Sequence, residues 1–351
     1  IIQSDGDKKY QEIKDEYFEY DRAIYQNIHD LKDKIHSFID LKNLNKELNE
    51  LERQITLFHT KVVKKISENQ KIDIIGFHGQ TIYHNSKEKI SNQLGDGKLL
   101  SQLTKKNIVY NFRQNDMKNG GEGAPLAPIF HQLLATQLKL DLPVCILNIG
   151  GISNITIVSE RTGTYGFTSR DIGPGNCLID AWIRKNSNKK FDKDGIIAAK
   201  GTRNDIIFKQ AQELFSNTLN QTALSFDVND FDVSFARGLS LEDGAITLTD
   251  FTASLIGTAL SSFLSKINKK SWKILVCGGG RKNQVLIEKI KKSTLKNIFL
   301  QSIDDHGING DFIESQAFAF LAIRSKLNLP ISFPDTTGCK QPSSGGVIIK
   351  Y

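Results

Sequence analysis

Residues 144–182, VCILNIGGISNITIVSERTGTYGFTSRDIGPGNCLIDAW, constrain this chain more than any other stretch. Val144, Ile146 and Leu147 form an apolar run that stops at Asn148-Ile149-Gly150-Gly151, and Ile152, Ile155 and Ile157 resume with polar residues between them. That pattern is a hairpin of two strands joined by a glycine turn. Paired glycines at such a turn let backbone N–H groups approach an anion closely, because no Cβ stands in the way. Asp171-Ile172-Gly173-Pro174-Gly175-Asn176 reads as a second tight turn, opening a helix that carries Leu178, Ile179 and Trp182. An acidic residue held on a turn beside a phosphate-type loop is a candidate general base. Either half alone is satisfied by a plain hairpin or a helix cap; the two so close together point to a nucleotide or sugar site.

With 351 residues the chain has room for two domains or one large α/β unit. Hydrophobic residues at 39% and charged residues at 24% suit a soluble protein with an ordinary core. No apolar run approaches the roughly 18 residues of a membrane helix, so no membrane partner is expected. The net charge of +7 raises the question of nucleic acid. The lysines, however, are spread among Asn, Ile and Asp without a run rich in arginine and aromatics, so no nucleic-acid partner is expected either. Cys145, Cys177, Cys277 and Cys339 lie far apart, mostly in apolar stretches. That is neither a zinc spacing nor a secreted disulfide framework, and a reducing cytoplasm fits it. Ile1 to Asp7 reads as the end of a strand running into a turn rather than a translation start or signal peptide, and the only methionine is Met117. The sequence is therefore expected to lack its true N-terminus.

Along the chain, Tyr10, Ile13, Tyr17, Phe18 and Tyr20 suggest a strand within 10–25. From Ile28 to Ile66 the pattern is helical, with Leu48, Leu51, Ile55, Phe58, Val62 and Ile66 at three- and four-residue steps. Ile72 to Phe77 reads as a short buried strand ending in His78-Gly79-Gln80-Thr81. Polar residues at the carboxyl end of an α/β strand sit where ligands bind, which makes His78 and Gln80 candidates for substrate contact. Gln93 to Gly97 is a turn before a helix at 99–104, and Ile108 to Phe112 is a strand with Arg113 and Asp116 at its exit. Gly120 to Pro128 is a glycine/proline loop, either a crossover or a hinge lining a cleft, before a helix at 129–138. Residues 204–216 read as a helix, 219–244 as irregular and 246–264 as a long helix. Trp272 to Cys277 is a buried strand running into Gly278-Gly279-Gly280, with a helix from Asn283. Strand, triple glycine and helix is another place where backbone can lie against a flat ligand or its phosphates. Ile298 to Leu300 is a further strand, and 311–327 is an apolar helix with Glu314 near its N-terminus, where the helix dipole favours a carboxylate. The tail from Pro330 is loop with a final strand, Val347 to Ile349. Two strand-rich blocks, each followed by helices, predict two similar α/β lobes around a cleft. The sequence contains no GxxxxGKS/T and no GxGxxG in a βαβ setting, which argues against a P-loop NTPase and a Rossmann dehydrogenase.

From about residue 72 onward the segments IGFHGQTIYH (75–84), QLGDG (93–97), NFRQND (111–116), GGEGAPLAPIFH (120–131), LNIGGISNIT (147–156), DIGPGNCLIDAW (171–182), FDKDG (191–195), LEDGAITLTDFTA (241–253), VCGGGRKN (276–283), GINGDFIESQAFAFLAIR (307–324) and TTGC (336–339) occur in order. Together they resemble the anhydro-N-acetylmuramic acid kinases, members of the actin/hexokinase/Hsp70-like ATPase superfamily. The resemblance implies an α/β, two-lobe actin-like (ribonuclease H-like) ATPase fold with a central cleft. Its first lobe would be 1–127, completed by 325–351, and its second 128–324. It implies an ATP-dependent kinase that hydrolyses the anhydro ring of 1,6-anhydro-N-acetylmuramic acid and phosphorylates its 6-oxygen, giving N-acetylmuramic acid 6-phosphate in peptidoglycan recycling, with ATP and Mg2+ as cofactors. Asp171 would be the base that activates water at the anomeric carbon. Asn148, Gly150, Gly151, Gly173, Gly175 and Asn176 would line the phosphates, and Gly278, Gly279, Gly280 and Asn283 the adenosine. His78, Gln80, Arg113, Asp116 and Glu314 would meet the sugar, no side chain is assigned as a metal ligand, and a homodimer is what the resemblance allows.

Three departures stand against this pattern. The family's N-terminal strand and phosphate hairpin, of Met-Ser-Gly-Thr-Ser-Leu-Asp-Gly type, is expected just before Ile1. The family's Pro-Lys-Ser-x-x-Arg segment appears as Ala223-Leu224-Ser225-Phe226-Asp227-Val228, without the basic side chains, and Ile172 replaces a threonine. The alternative is a non-catalytic, decayed family member that at most binds amino sugar or nucleotide.

Overall fold

A computed structural model describes residues 1–160, 163–219 and 226–351. Its packing divides the chain into one unit of Ile1–Gln137 with Glu314–Tyr351 and a second of Leu138–Ile313. Two short antiparallel strands, β1 (Ile2–Ser4) and β2 (Tyr10–Glu12), open the first unit. The strand expected over 10–25 stops at Glu12. Ile13 and Tyr17 are exposed rather than lined up on a buried face, and the Asp21 carboxylate accepts the Ile24 N–H to start α1 (Arg22–Lys32) instead. The helical pattern from 28 to 66 is three helices, α1, α2 (Phe38–Asn43) and α3 (Asn45–Ile66). A reciprocal capping box between Ser37 and Asp40 starts α2 and so breaks the run. Leu48, Leu51 and Ile55 of α3 bury against Ile82, Tyr83 and Leu94.

Strand β3 is only Ile75–Gly76. A hairpin follows that the sequence pattern does not announce, β4 (Gln80–Asn85) with β5 (Ile90–Leu94). Then come α4 (Gly97–Thr104), capped by Asp96, β6 (Ile108–Tyr110), α5 (Gln114–Lys118) and α6 (Pro128–Gln137).

The second unit is built on β7 (Val144–Ile149), β8 (Ile152–Val158) and β9 (Phe167–Pro174), an antiparallel meander. Helices α7 (Cys177–Asn186), α8 (Asp205–Leu219) and α9 (Leu241–Leu264) follow, then β10 (Trp272–Cys277), α10 (Gln284–Ser293) and β11 (Ile298–Ser302). The sheet order is β11-β10-β7-β8-β9, with β10 parallel to β7 and β11 parallel to β10. Three meandering strands with two parallel strands added beside the first is the ribonuclease H-like arrangement that the resemblance implies. Residues 219–244 hold, among those described, two 3-10 turns at Val228–Asp230 and Ser234–Ala236 before Ser240 caps α9. Of the substituted positions, Ala223 and Leu224 lie outside the described residues, as does Ser225 between them and Phe226.

The chain returns to the first unit through α11 (Ile313–Lys326), α12 (Pro334–Thr337) and β12 (Val347–Ile349), and the sheet there runs β12-β6-β3. Helix α11 presses on it so closely that a Cβ on Gly76 would stand 2.4 Å from the Phe318 carbonyl oxygen. The lobe boundaries expected at 127/128 and 324/325 differ from this division, because α6 and most of α11 group with the first unit. Phe130 of α6 packs edge-on to Tyr10 at 5.1 Å and against Phe320 of α11 at 5.6 Å. Residues of β1, β3, α3 and α11 border a cavity of about 670 Å³ in this unit. Among the described residues no helix is long and apolar enough to cross a membrane.

Candidate functional site

The hairpin of β7 and β8 turns at Gly150-Gly151, and this turn is tied to the segment after β9. Gly175 N–H donates to Gly151 O at 2.8 Å, Asn176 N–H to Gly150 O at 2.8 Å, and Cys177 N–H to Gly151 O at 3.1 Å. The Asn176 amide adds a bond to Gly150 O at 3.0 Å. Gly175 must be glycine, since a Cβ there would stand 2.3 Å from Gly150 O. The triple glycine arrives from the other side because β10 pairs beside β7, with Cys277 opposite Asn148. Gly278 has φ 79°, and a Cβ on it would meet Asn148 Oδ1 at 2.4 Å. Gly280 lies against Ile149, where a Cβ would meet Cγ2 at 2.2 Å. Three glycine segments distant in sequence thus form one backbone surface. Gly279 differs: among the described residues nothing lies within 4 Å of a Cβ built on it.

Arg281 fixes this surface from behind. Its guanidinium donates to both Asp304 oxygens (2.6 and 3.0 Å), to Asp311 Oδ1 (2.6 Å) and to Gly278 O (3.0 Å). The hydrogen bonds from Arg281 hold the Asp304 carboxyl well below the usual carboxylate range. Asn283 acts as the cap of α10, its Oδ1 accepting the Leu286 N–H at 3.0 Å. It also packs on the 3-10 turn at Lys193–Gly195, where a Cβ on Gly195 would be 2.3 Å from that same oxygen. Asp192, which carried no role in the sequence reading, holds the backbone beyond that turn by accepting Ile197 and Ala198 N–H at 2.8 and 2.9 Å.

Asp171 is not on a turn. It lies within β9, opposite Asn154 of β8, and is 6% exposed. The strand was illegible because its buried Ser169 is held by a bond to Ile155 O (2.6 Å) rather than by an apolar repeat. One carboxylate oxygen of Asp171, Oδ2, accepts the Phe226 N–H at 2.8 Å. In the second unit, then, the candidate base and the glycine surface share one sheet: Asp171 and Gly173 sit on β9, whose β8 neighbour leads through Gly150-Gly151 to β7.

The remaining candidates belong to the first unit. Arg113 donates to Gly123 O at 2.8 Å and to His78 Nε2 at 3.1 Å. Burial, aided by the Arg113 charge, pushes the His78 pKa down to about 3. The ring is therefore neutral, Nε2 accepts from Arg113, and Nδ1 carries the proton given to Gly79 O at 3.0 Å. Asp116 is 1% exposed, and both its oxygens are engaged, Oδ2 by Gly123 N–H (2.7 Å) and Oδ1 by the Thr337 hydroxyl (2.6 Å). Arg113 and Asp116 thus clamp both backbone groups of Gly123. Lys89 adds bonds to Gly120 O and Gly121 O at 2.9 and 2.8 Å. The sequence reading quoted Thr337 within TTGC but gave it no role, and gave none to Lys89. Gln80 starts β4, half-buried, and Glu314 is exposed in the first turn of α11.

The family model described as anhydro-N-acetylmuramic acid kinase matches residues 1–351. The anhydro-N-acetylmuramic acid kinase of Pelagibacter ubique is 54% identical over 352 residues, covering 100% of this chain and 94% of the relative. That of Agrobacterium fabrum is 36% identical over 363 residues, with the same coverages of 100% and 94%. A solved ROK family glucokinase from Streptomyces griseus, in complex with glucose and AMPPNP, is 14% identical over 77% of this chain and 88% of its own, at a TM-score of 0.35, a likeness too weak to carry a fold assignment. The chain belongs to the anhydro-N-acetylmuramic acid kinase family.

Proposed function

We propose that this chain uses ATP to open the anhydro ring of 1,6-anhydro-N-acetylmuramic acid and to phosphorylate the oxygen so released. The observation that carries the reading is the grouping, on one sheet and its loops, of a buried carboxylate with three glycine segments, of which Gly279 has nothing within 4 Å of a Cβ built on it among the described residues. Asp171 takes a proton from water as the water oxygen bonds to the anomeric carbon. The bond from that carbon to O6 breaks, helped by strain in the bicyclic sugar, and O6 takes the γ-phosphoryl group. ADP and N-acetylmuramic acid 6-phosphate leave. Backbone N–H groups of Gly150 and Gly151 are candidates to meet charge on the transferring group, while those of Gly175 and Asn176 are spent holding the β7–β8 turn in place. Gly278 to Gly280, with Asn283 behind them, offer the flat backbone that an adenosine can lie on.

Among the described residues no three His, Cys, Asp or Glu side chains converge as a metal cage. Magnesium carried on the ATP phosphates needs none, since it commonly keeps several waters and takes one or two carboxylates with the substrate phosphates. When bound it supplies charge neutralisation at those phosphates. Arg113 is a candidate for direct sugar contact. His78 and Asp116, whose polar atoms are engaged inside the protein, support Arg113 and the Gly120–Gly123 loop. The four cysteines are buried and none is in a disulfide, which supports a reducing compartment. The reading is tested by Asp171→Asn, assayed for ADP and sugar phosphate beside circular dichroism. Turnover is expected to fall by about 10²–10⁴-fold with the fold retained; turnover near that of the parent protein removes Asp171 from the role of base.

A further inference from the structure

One partner of the Asp171 carboxylate is a main-chain group, and the segment that presents it is anchored. Phe226 N–H reaches Asp171 Oδ2 at 2.8 Å from a stretch outside helix and strand. Asp227 N–H then bonds Asp230 Oδ2 at 2.7 Å, and Phe231 N–H bonds Val228 O at 3.2 Å, closing a 3-10 turn. Phe231 is 7% exposed and belongs to the core of the second unit. Its ring stacks on Phe215 at 5.8 Å and meets Phe226 edge-on at 5.7 Å. Val228 carries the atom nearest to a Cβ built on Gly151, at 3.9 Å. The same six residues therefore bond Asp171, pass beside the phosphate-type turn and enter the apolar core.

We propose that residues 226–231 are a positioning strap for the catalytic carboxylate: the Phe226 amide sets the orientation of Asp171, and Phe231 holds the amide in place. This rests on Asp171 being the base. A hydrogen bond donated to an ionised carboxylate favours the ionised form, which is the form that can accept a proton from water. A general base also depends first on geometry, so a carboxylate free to rotate loses rate even when ionised.

The clean perturbation is replacement of Phe226 by phenyllactate in the full-length chain, which exchanges the N–H for an ester oxygen and keeps the ring. The expected result is a kcat at least about tenfold lower with KM for ATP unchanged. The acid limb of the kcat/KM profile is expected to move up by about one pH unit, because the ionised base has lost a donor. Phe226→Ala keeps the donor and removes the ring; its acid limb is expected to stay in place. The strap is overturned if the ester protein keeps both the parent kcat and the parent acid limb, or if Phe226→Ala moves the limb as far as the ester does. Asp171→Asn run alongside separates the two claims. Activity in that variant sinks the base itself, whereas an inactive Asp171→Asn with an unaltered ester protein sinks only the strap.

Discussion

Gly279 separates stability from ligand binding at a single atom. A methyl group placed on its Cα meets nothing within 4 Å among the described residues, and Gly279 is not in the left-handed region. Its neighbours Gly278 and Gly280 would collide at 2.4 and 2.2 Å. Gly279→Ala should therefore cost no packing energy, and by restricting the unfolded chain it should add about 0.4–1 kcal/mol. That corresponds to an unchanged or slightly raised Tm, by about 2–4 °C at most for a unit of this size. The open space is, however, where an adenosine would lie against the backbone. A methyl there should raise KM for ATP by about tenfold or more, equivalent to about 1.4 kcal/mol of lost binding. Differential scanning fluorimetry and initial rates against ATP, at saturating sugar, read the two effects on one preparation. An unchanged KM for ATP in a normally folded Gly279→Ala protein would show that the nucleotide does not rest on the triple glycine. A Tm drop of several degrees would show that the space is not open.

Gly175→Ala should behave in the opposite way, because its Cβ would meet Gly150 O at 2.3 Å and the backbone must give. A loss of about 1–3 kcal/mol in urea unfolding is expected. Thr337→Val leaves a lone pair of the buried Asp116 carboxylate without its 2.6 Å donor and should cost about 1–3 kcal/mol, read in the same assay. Stability should also fall with acidity. His84 and His131 are buried, and burial lowers their pKa values to about 3 and about 4, below the unfolded value near 6.5. The unfolded chain therefore binds more protons as pH drops below about 6.5. Each histidine withdraws about 1.4 kcal/mol per pH unit, from well below 6.5 down to its folded pKa, and the effect is absent above 7. Urea midpoints from pH 7.5 to 5 check this; a flat profile contradicts it.

What could be seen in the sequence follows from which residues carry their own signal. β7, β10 and the helix after β10 were legible because Val144 to Ile149 and Trp272 to Cys277 are largely apolar runs stopped by glycine. β9 and the β4–β5 hairpin were not, since Thr168, Ser169, Arg170, Gln80 and Gln93 are polar and owe their strand state to paired neighbours. The break between α1 and α2 did have a local mark, Ser37 three residues before Asp40, outweighed by the apolar periodicity around it. The clamp on Gly123 had none: Asp116 and Thr337 are 221 residues apart, and a carboxylate at a strand exit looks the same whether it faces a sugar or braces a loop. Asp171 lies in β9 and not on the turn that the sequence suggests, because Gly173 and Pro174 at the end of the strand mimic turn chemistry.

The coupling of ring opening to phosphorylation is tested most directly by running the reaction in H₂¹⁸O, quenching before the anomeric hydroxyl exchanges, and locating the label by mass spectrometry. One ¹⁸O on the anomeric carbon of the sugar phosphate and none in its phosphoryl group is the expected result. Label in the phosphoryl oxygens, or an unlabelled anomeric position, would mean that water does not attack the sugar and that the carboxylate on β9 has some other task.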